Sequence, residues 1–302
     1  MFLSASFAPF APAVFILVWS CGYIVAKYVV PYAPALTFLS FRYMGVLLLL
    51  GSLALAARAA FPRGRLFWHT AVVGVLMQAG YLAGCWIGIA QGMPAGVMAL
   101  IVNLQPVLTA ILTVLFLSHH ADAQVSPRQW LGLLLGFAGV ALVLATKLGA
   151  VDYASFGWLA VILGLGALIA ITAGTLYQKQ FCSGVDPRSG QAVQSLASLV
   201  VTAPLAWALD TQPVAWTAPF WGALLFSVAI LSGVGTGLLL WLINRGSATK
   251  VTALMYWVPP VSSLMAWMMF DEHIALVAWP GFLLVALGVY WVVAAPAAER
   301  KV

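Results

Sequence analysis

The sequence predicts an all-α integral membrane protein whose ten transmembrane helices form two inverted five-helix repeats. Three observations lead there. The chain of 302 residues is 64% hydrophobic and 7% charged, with a mean hydropathy of +1.06; soluble domains carry about 25% charged residues, and so poor a supply could not cover a water-facing surface. Apolar runs long enough to cross a bilayer follow one another along the chain, and no polar stretch between them is long enough to fold alone. A segment of the first half also recurs in the second.

Taken in order, the expected spans are about residues 10–30, 36–57, 68–90, 94–117 and 128–146, then 156–178, 190–209, 219–243, 248–270 and 275–295. Each reads as a helix, because in hydrocarbon every backbone N–H and C=O must be satisfied within its own segment. Span one carries Trp19, Tyr23 and Lys27 at steps of four, on one helical face. Span two holds Arg42, the basic residue deepest in any run. Span three offers Gln78, Tyr81 and Trp86. Span four offers Asn103, Gln105 and Pro106; proline removes one helical N–H and crowds the preceding turn, so carbonyls near Asn103 are expected to be freed. Gly132 and Gly136 give span five a GxxxG spacing suited to close packing, with dimerisation through Gly132 left open.

In the second half, span six ends in Tyr177 and Gln178. Span seven places Gln191, Gln194, Ser195, Ser198 and Thr202 mostly three or four apart, which fits either a seam of interhelical hydrogen bonds or a cavity wall. Span eight is crowded with Gly233, Gly235 and Gly237. Span nine contains Tyr256-Trp257-Val258-Pro259-Pro260, where two prolines are expected to kink the helix and Ser262 and Ser263 to satisfy loosened backbone groups.

Charge gives the orientation. With the N-terminus in the cytoplasm, ten of the thirteen basic residues fall on the inner side: Arg58, Arg63, Arg65, Arg128, Lys179, Arg188, Arg245, Lys250, Arg300 and Lys301. The reverse topology would violate the positive-inside bias. Internal repetition agrees. Residues 92–119 slide by 154 positions onto 246–273 with eight identities in 28 pairs, including Gly92/Gly246, Pro106/Pro260 and His119/His273. After a change of five residues in the loop, Gly132 aligns with Gly281 and Gly139 with Gly288. An odd number of spans per repeat returns the second copy upside down. The halves are expected at 1–150 and 151–302, with His119 inside and His273 outside.

These residues resemble the drug/metabolite transporter superfamily, and within it the EamA family of ten-helix carriers. "VWSCGYIVAKYVVPYAPALTFLSFRY" (18–43) is similar to that family's opening helix pair, and "GMPAGVMALIVNLQPVLTAIL" (92–112) and "GSATKVTALMYWVPPVSSLMAW" (246–267) to its fourth- and ninth-helix signatures. The family usually ends its fourth helix with a Glu-containing turn; Ser118-His119-His120 stands there in this chain, so no role of that Glu carries over. The resemblance implies export of metabolites or drugs from the bacterial cytoplasm by a multi-pass inner-membrane carrier, whose termini the charge bias puts in the cytoplasm.

Polar side chains are costly in lipid and tend to face a wet interior. On that basis Trp19, Tyr23, Arg42, Gln78, Tyr81, Asn103, Gln105, Tyr177, Gln194, Tyr256 and Trp257 are the expected substrate-binding residues, around a midplane site where kinks of spans four and nine meet. Lys27 lies near the outer end and is expected to snorkel to headgroups. All seven acidic residues fall in loops or at span ends, so no mid-membrane carboxylate is expected to couple transport to protons; Glu272 is the first residue to test if coupling exists. Cys21, Cys85 and Cys182 form no CxxC pair, the four histidines sit at span ends, and there is no P-loop, GxSxG or HExxH. The expected partners are a small-molecule substrate and the lipid bilayer, without cofactor, metal or nucleic acid, in a monomer or a dimer. A secretory signal is not expected, since residues 1–12 lack a basic residue. A lipid-modifying membrane enzyme and a non-transporting scaffold remain as alternatives.

Overall fold

The computed structural model describes residues 10–105, 108, 109, 112, 127–150, 157–245, 254–271 and 279–294. These fall into ten helical segments, with no strand among the described residues. The first repeat supplies α1 (Ala11–Val29), α2 (Ala35–Ala56), α3 (Arg65–Ala90), α4 (Ala95–Val102) and α5 (Pro127–Ala150). The second supplies α6 (Trp158–Phe181), α7 (Pro187–Leu209), α8 (218–245), α9 (Val258–Phe270) and α10 (Trp279–Ala294). Helices α1, α2, α3, α6, α7 and the Ala218–Leu239 part of α8 are long and apolar enough to cross a bilayer individually. Leu48, Ile162 and Leu283 point outward, and Trp207, at the end of α7, is 90% exposed. Such a surface suits hydrocarbon, with tryptophan rings at headgroup depth.

Caps explain where the helices begin. The Asp186 carboxylate accepts from the Arg188 N–H at 2.9 Å, and Pro187 occupies the first helical position. This Asp-Pro start carries α7 beyond the apolar run expected from 190. α2 begins after Pro34, which offers no side-chain cap. Asp210, just past the end of α7, supplies one: its Oδ2 accepts from both the N–H and the hydroxyl of Thr37 at 2.7 Å. Beside it the Ala215 N–H donates to the Tyr32 carbonyl at 2.8 Å. The α1–α2 and α7–α8 connections are thereby tied at one end of the bundle.

The repeats interlock rather than stand side by side. α2 packs on α7, α4 on α9 and α5 on α10, while α1 reaches α9 and α6 reaches α4. The α5–α10 contact is reciprocal. A Cβ at Gly139 would lie 2.5 Å from the Gly281 carbonyl oxygen, and one at Gly288 would lie 2.6 Å from that of Gly132. Since Gly139 corresponds to Gly288 and Gly132 to Gly281, the two helices meet about a pseudo-two-fold axis, as antiparallel copies of one element must. Gly132 thus serves contact inside the chain with α10.

Both proline expectations change form. α4 gives way to a turn at Asn103 and Leu104, just before Pro106, which has no N–H to offer the Val102 carbonyl; Pro106 itself lies outside the described residues. In span nine, Pro259 and Pro260 open the α-helix after a 3-10 turn at Met255–Trp257 instead of kinking it midway. First-turn N–H groups have no intrahelical partner to lose. Ser262 donates not to its own helix but to the Ser20 carbonyl of α1 at 3.4 Å.

Two irregularities were not legible in the sequence. α3 passes through a π-helical segment at Val75–Gly80, and α8 through another at Ser227–Val234. They occupy the third helix of each repeat. The offset of 154 that aligns spans four and nine also carries Gln78 to Ser232. π turns widen a helix and often mark functional positions.

Candidate functional site

A cavity of about 310 Å³ lies between α1, α2 and α3 of the first repeat and α6, α7 and α8 of the second. This is at the small end of ligand pockets, which run from about 300 to 1,000 Å³. No described residue of α4, α5, α9 or α10 lines it. Trp19, Tyr23, Arg42, Gln78, Tyr81 and Gln194 do, so six of the eleven expected residues come together on one wall system.

Their hydrogen bonds fix the geometry. The Tyr23 and Tyr81 hydroxyls are 3.3 Å apart. On α2, neighbouring residues reach the two different π segments. The Tyr43 hydroxyl donates to the Gln78 carbonyl at 2.8 Å, and Arg42 Nη2 donates to Ser232 Oγ at 3.3 Å. Ser232 in turn donates to the Ser227 carbonyl five residues back, at 3.1 Å, a span that a π turn brings into reach. The Gln78 side chain is only 7% exposed, and its Nε2 has no hydrogen-bond partner among the described residues.

Four of the remaining five expected residues lie elsewhere, because α4 and α9 stand behind α6 and α1 and their polar groups close local seams. Asn103 Nδ2 donates to the Ala99 carbonyl of its own helix at 2.6 Å. Gln105 Nε2 bridges to Thr175 Oγ1 on α6 at 2.9 Å. The Tyr177 hydroxyl pairs with His69 Nδ1 at 2.8 Å, beside the Phe181 ring. Trp257 is exposed at the start of α9, and the Tyr256 side chain lies outside the described residues, as do His119, His273 and Glu272. Lys27 places its Nζ 4.8 Å from the Phe270 ring centroid. The polar face of α7 divides: Gln191 and Gln194 line the cavity, whereas Ser198 donates to the Gly74 carbonyl of α3 at 2.9 Å. Both readings of that face hold, on successive turns. Ser232 and Thr236 were missed; the Ser227–Ser232 spacing of five was the available signal.

One end of the cavity reaches the turn Cys182–Pro187, where Pro187 is exposed. Asp186 pairs there with Arg188 at 2.8 Å. Hydrogen bonds from the Arg188 side chain hold its carboxyl below the ordinary carboxylate range. Ser189 Oγ donates to the Ala60 carbonyl at 2.7 Å, which places this mouth beside the connection bearing Arg58 and Arg63. At the other end Trp86, 3% exposed, stacks on Phe38 at 5.1 Å, and Phe38 meets the edge of Phe220 at 5.6 Å. Beyond this septum is a second cavity of about 250 Å³, reaching Gln91 and Asp210. Trp86 belongs to both walls.

The model of the EamA-like transporter family matches residues 8–145 and again 158–294. The chain belongs to that family. It is a multi-pass membrane transporter and not an enzyme, and the lipid-modifying alternative falls. An EamA-family chain of this kind has relatives in several bacteria. It is 27% identical over 280 residues to the uncharacterized transporter YvbV of Bacillus subtilis (strain 168), covering 92% of this chain and 88% of that protein. It is 22% identical over 289 residues to a probable amino-acid metabolite efflux pump of Escherichia coli (strain K12), covering 91% of each. A solved crystal structure superimposes with a TM-score of 0.70 at 18% identity, over 95% of this chain and 96% of the other, and so shares the EamA fold.

Proposed function

We propose that this protein exports small amphipathic metabolites, amino-acid-like solutes among them, from the bacterial cytoplasm across the inner membrane by alternating access. The observation that carries the reading is the pair of cavities separated by the Trp86 septum. A solute entering from the basic end meets Trp19, Tyr23 and Tyr81 and stops at Trp86. Rocking of the first three helices of one repeat against those of the other would part Phe38 from Phe220 and close the Cys182–Pro187 mouth. Positive-inside bias puts that mouth, with both termini, in the cytoplasm. The name of the Escherichia coli relative agrees with the direction. Without a carboxylate inside a span, exchange or downhill flux is the natural mode.

The test is counterflow in proteoliposomes loaded with a panel of aromatic and branched metabolites. Saturable uptake above protein-free vesicles is expected for at least one solute. It should fall several-fold in Trp19→Ala, which removes aromatic surface from the wall. Uptake indistinguishable from empty vesicles across the panel would refute transport of this class.

A further inference from the structure

The cavity has a charge imbalance that transport alone does not explain. Among the described residues Arg42 is the one cationic side chain on its wall, and no carboxylate of those residues approaches it within ion-pair distance. The single acidic residue lining the cavity among the described residues, Asp186, sits at the mouth and is already bound to Arg188. A guanidinium has five N–H donors and no acceptor; Arg42 spends one on Ser232 at 3.3 Å. Ser232 can only receive there, because its own proton goes to the Ser227 carbonyl. The serine therefore steadies one nitrogen of the fork without supplying charge.

Gln78 lines the same cavity, buried to 7% exposure with an Nε2 unpartnered among the described residues. Leaving a buried donor unsatisfied carries its full desolvation penalty, so such a group is retained where something else pairs with it. Tyr43 holds the Gln78 backbone from the residue next to Arg42, at 2.8 Å. Both donors thus hang from one stretch of α2 and from the two π segments, while Trp19, Tyr81 and Leu231 provide apolar surface beside them.

We propose that Arg42 and the Gln78 amide form a carboxylate-recognition site, so that the cavity selects solutes with net negative charge on an aromatic or apolar body. The inference rests on the transport reading for its purpose and on these donors for its chemistry. A planar guanidinium matches a carboxylate through two parallel N–H···O bonds, and the Gln78 Nε2 can donate a third. A zwitterion would gain the same contacts but bring an ammonium into a wall whose described residues offer no free carboxylate.

The experiment measures thermal stabilisation of the full-length protein in detergent by four phenylalkyl probes: 3-phenylpropionate, 3-phenylpropionamide, phenylalanine and 3-phenylpropylamine. Melting-temperature shifts are expected to rank with the carboxylate first, the zwitterion second, and the amide and amine near zero. Arg42→Gln should weaken 3-phenylpropionate roughly tenfold to a hundredfold, the loss of one charged hydrogen-bonded pair. Arg42→Lys keeps the charge without the fork and should fall between. The acid-against-amide comparison needs only wild type, so poor folding of a variant cannot obscure the result. Equal shifts from acid and amide, a larger shift from the amine, or no shift from the acid would overturn the site. Counterflow separates the two readings: flux of a cation or zwitterion without carboxylate preference removes this inference and leaves transport. Binding of 3-phenylpropionate with no flux of any solute does the reverse.

Discussion

Replacing Gly74 by alanine tests the packing that sets the cavity's width. Gly74 is on α3, one turn before Gln78, and faces α7. An added Cβ would sit 2.5 Å from the Gln194 Cα and 2.8 Å from its carbonyl carbon. Ordinary contacts of that kind begin near 3.4 Å, so the helices must part by about 1 Å. Both sides of the clash are backbone, and no side chain can rotate to relieve it. Overpacking of this sort costs about 1–3 kcal/mol, set against the gain of about 1 kcal/mol that alanine enjoys over glycine in a helix. The hydrogen bond from Ser198 to the Gly74 carbonyl, now 2.9 Å, would stretch as well.

The net expectation is destabilisation of up to about 2 kcal/mol, read from denaturant unfolding in mixed micelles. Because Gln78 and Gln194 stand on the two helices being separated, counterflow should weaken along with stability. Gly166→Ala and Gly222→Ala are the controls, since a Cβ at either meets nothing within 4 Å. Gly74→Ala as stable as those controls would refute the claim that α3 and α7 touch backbone to backbone.

Three further outcomes follow. Gly139→Ala and Gly288→Ala should each destabilise by about 1–3 kcal/mol, but the double variant by less than the sum, since the gap opened by one admits the other; strict additivity in unfolding experiments would contradict the reciprocal α5–α10 contact. Asp210→Ala removes the borrowed cap of α2 and should cost about 0.5–2 kcal/mol, whereas Asp210→Asn, still an acceptor, should lose less. For Asp186, whose carboxyl Arg188 holds low, the ion pair contributes above the unfolded carboxylate range near about pH 4 and is lost as acid titrates the folded group. The stability difference between wild type and Asp186→Asn should therefore be present at neutral pH, small because the pair is solvent-exposed, and absent in acid; a difference growing toward low pH would reverse the assignment.

The helices were legible because lipid imposes one rule on all of them, a long apolar run with satisfied backbone. Their starts were less so: α7 begins with an Asp-Pro cap that hydropathy reads as loop, and α2 takes its cap from Asp210, 173 residues away. Six cavity residues could be chosen because polar or aromatic groups deep in a span need a reason to be there. Asn103 and Gln105 passed the same test and lie elsewhere, since a short amide can satisfy itself on its own helix or on a neighbour. Polarity in lipid identifies an interior face. It does not say whether that face meets water or another helix.

The repeat signal and the cavity are carried by different helices, and the division has a physical basis. Internal identity is strongest in spans four and nine and in the glycines of α5 and α10, which touch one another across the pseudo-two-fold axis and, in their described residues, line no part of the cavity. A carrier that rocks between two mirrored arrangements needs these contacts to be equivalent, or one state would be favoured too strongly to leave. In the proposed export reading the first three helices of each repeat face the solute instead, which has no two-fold symmetry of its own. So equivalent π segments carry Gln78 in one repeat and Ser232 in the other, one presenting an open donor and the other steadying Arg42. Divergence there is what a symmetric scaffold requires to hold an asymmetric molecule.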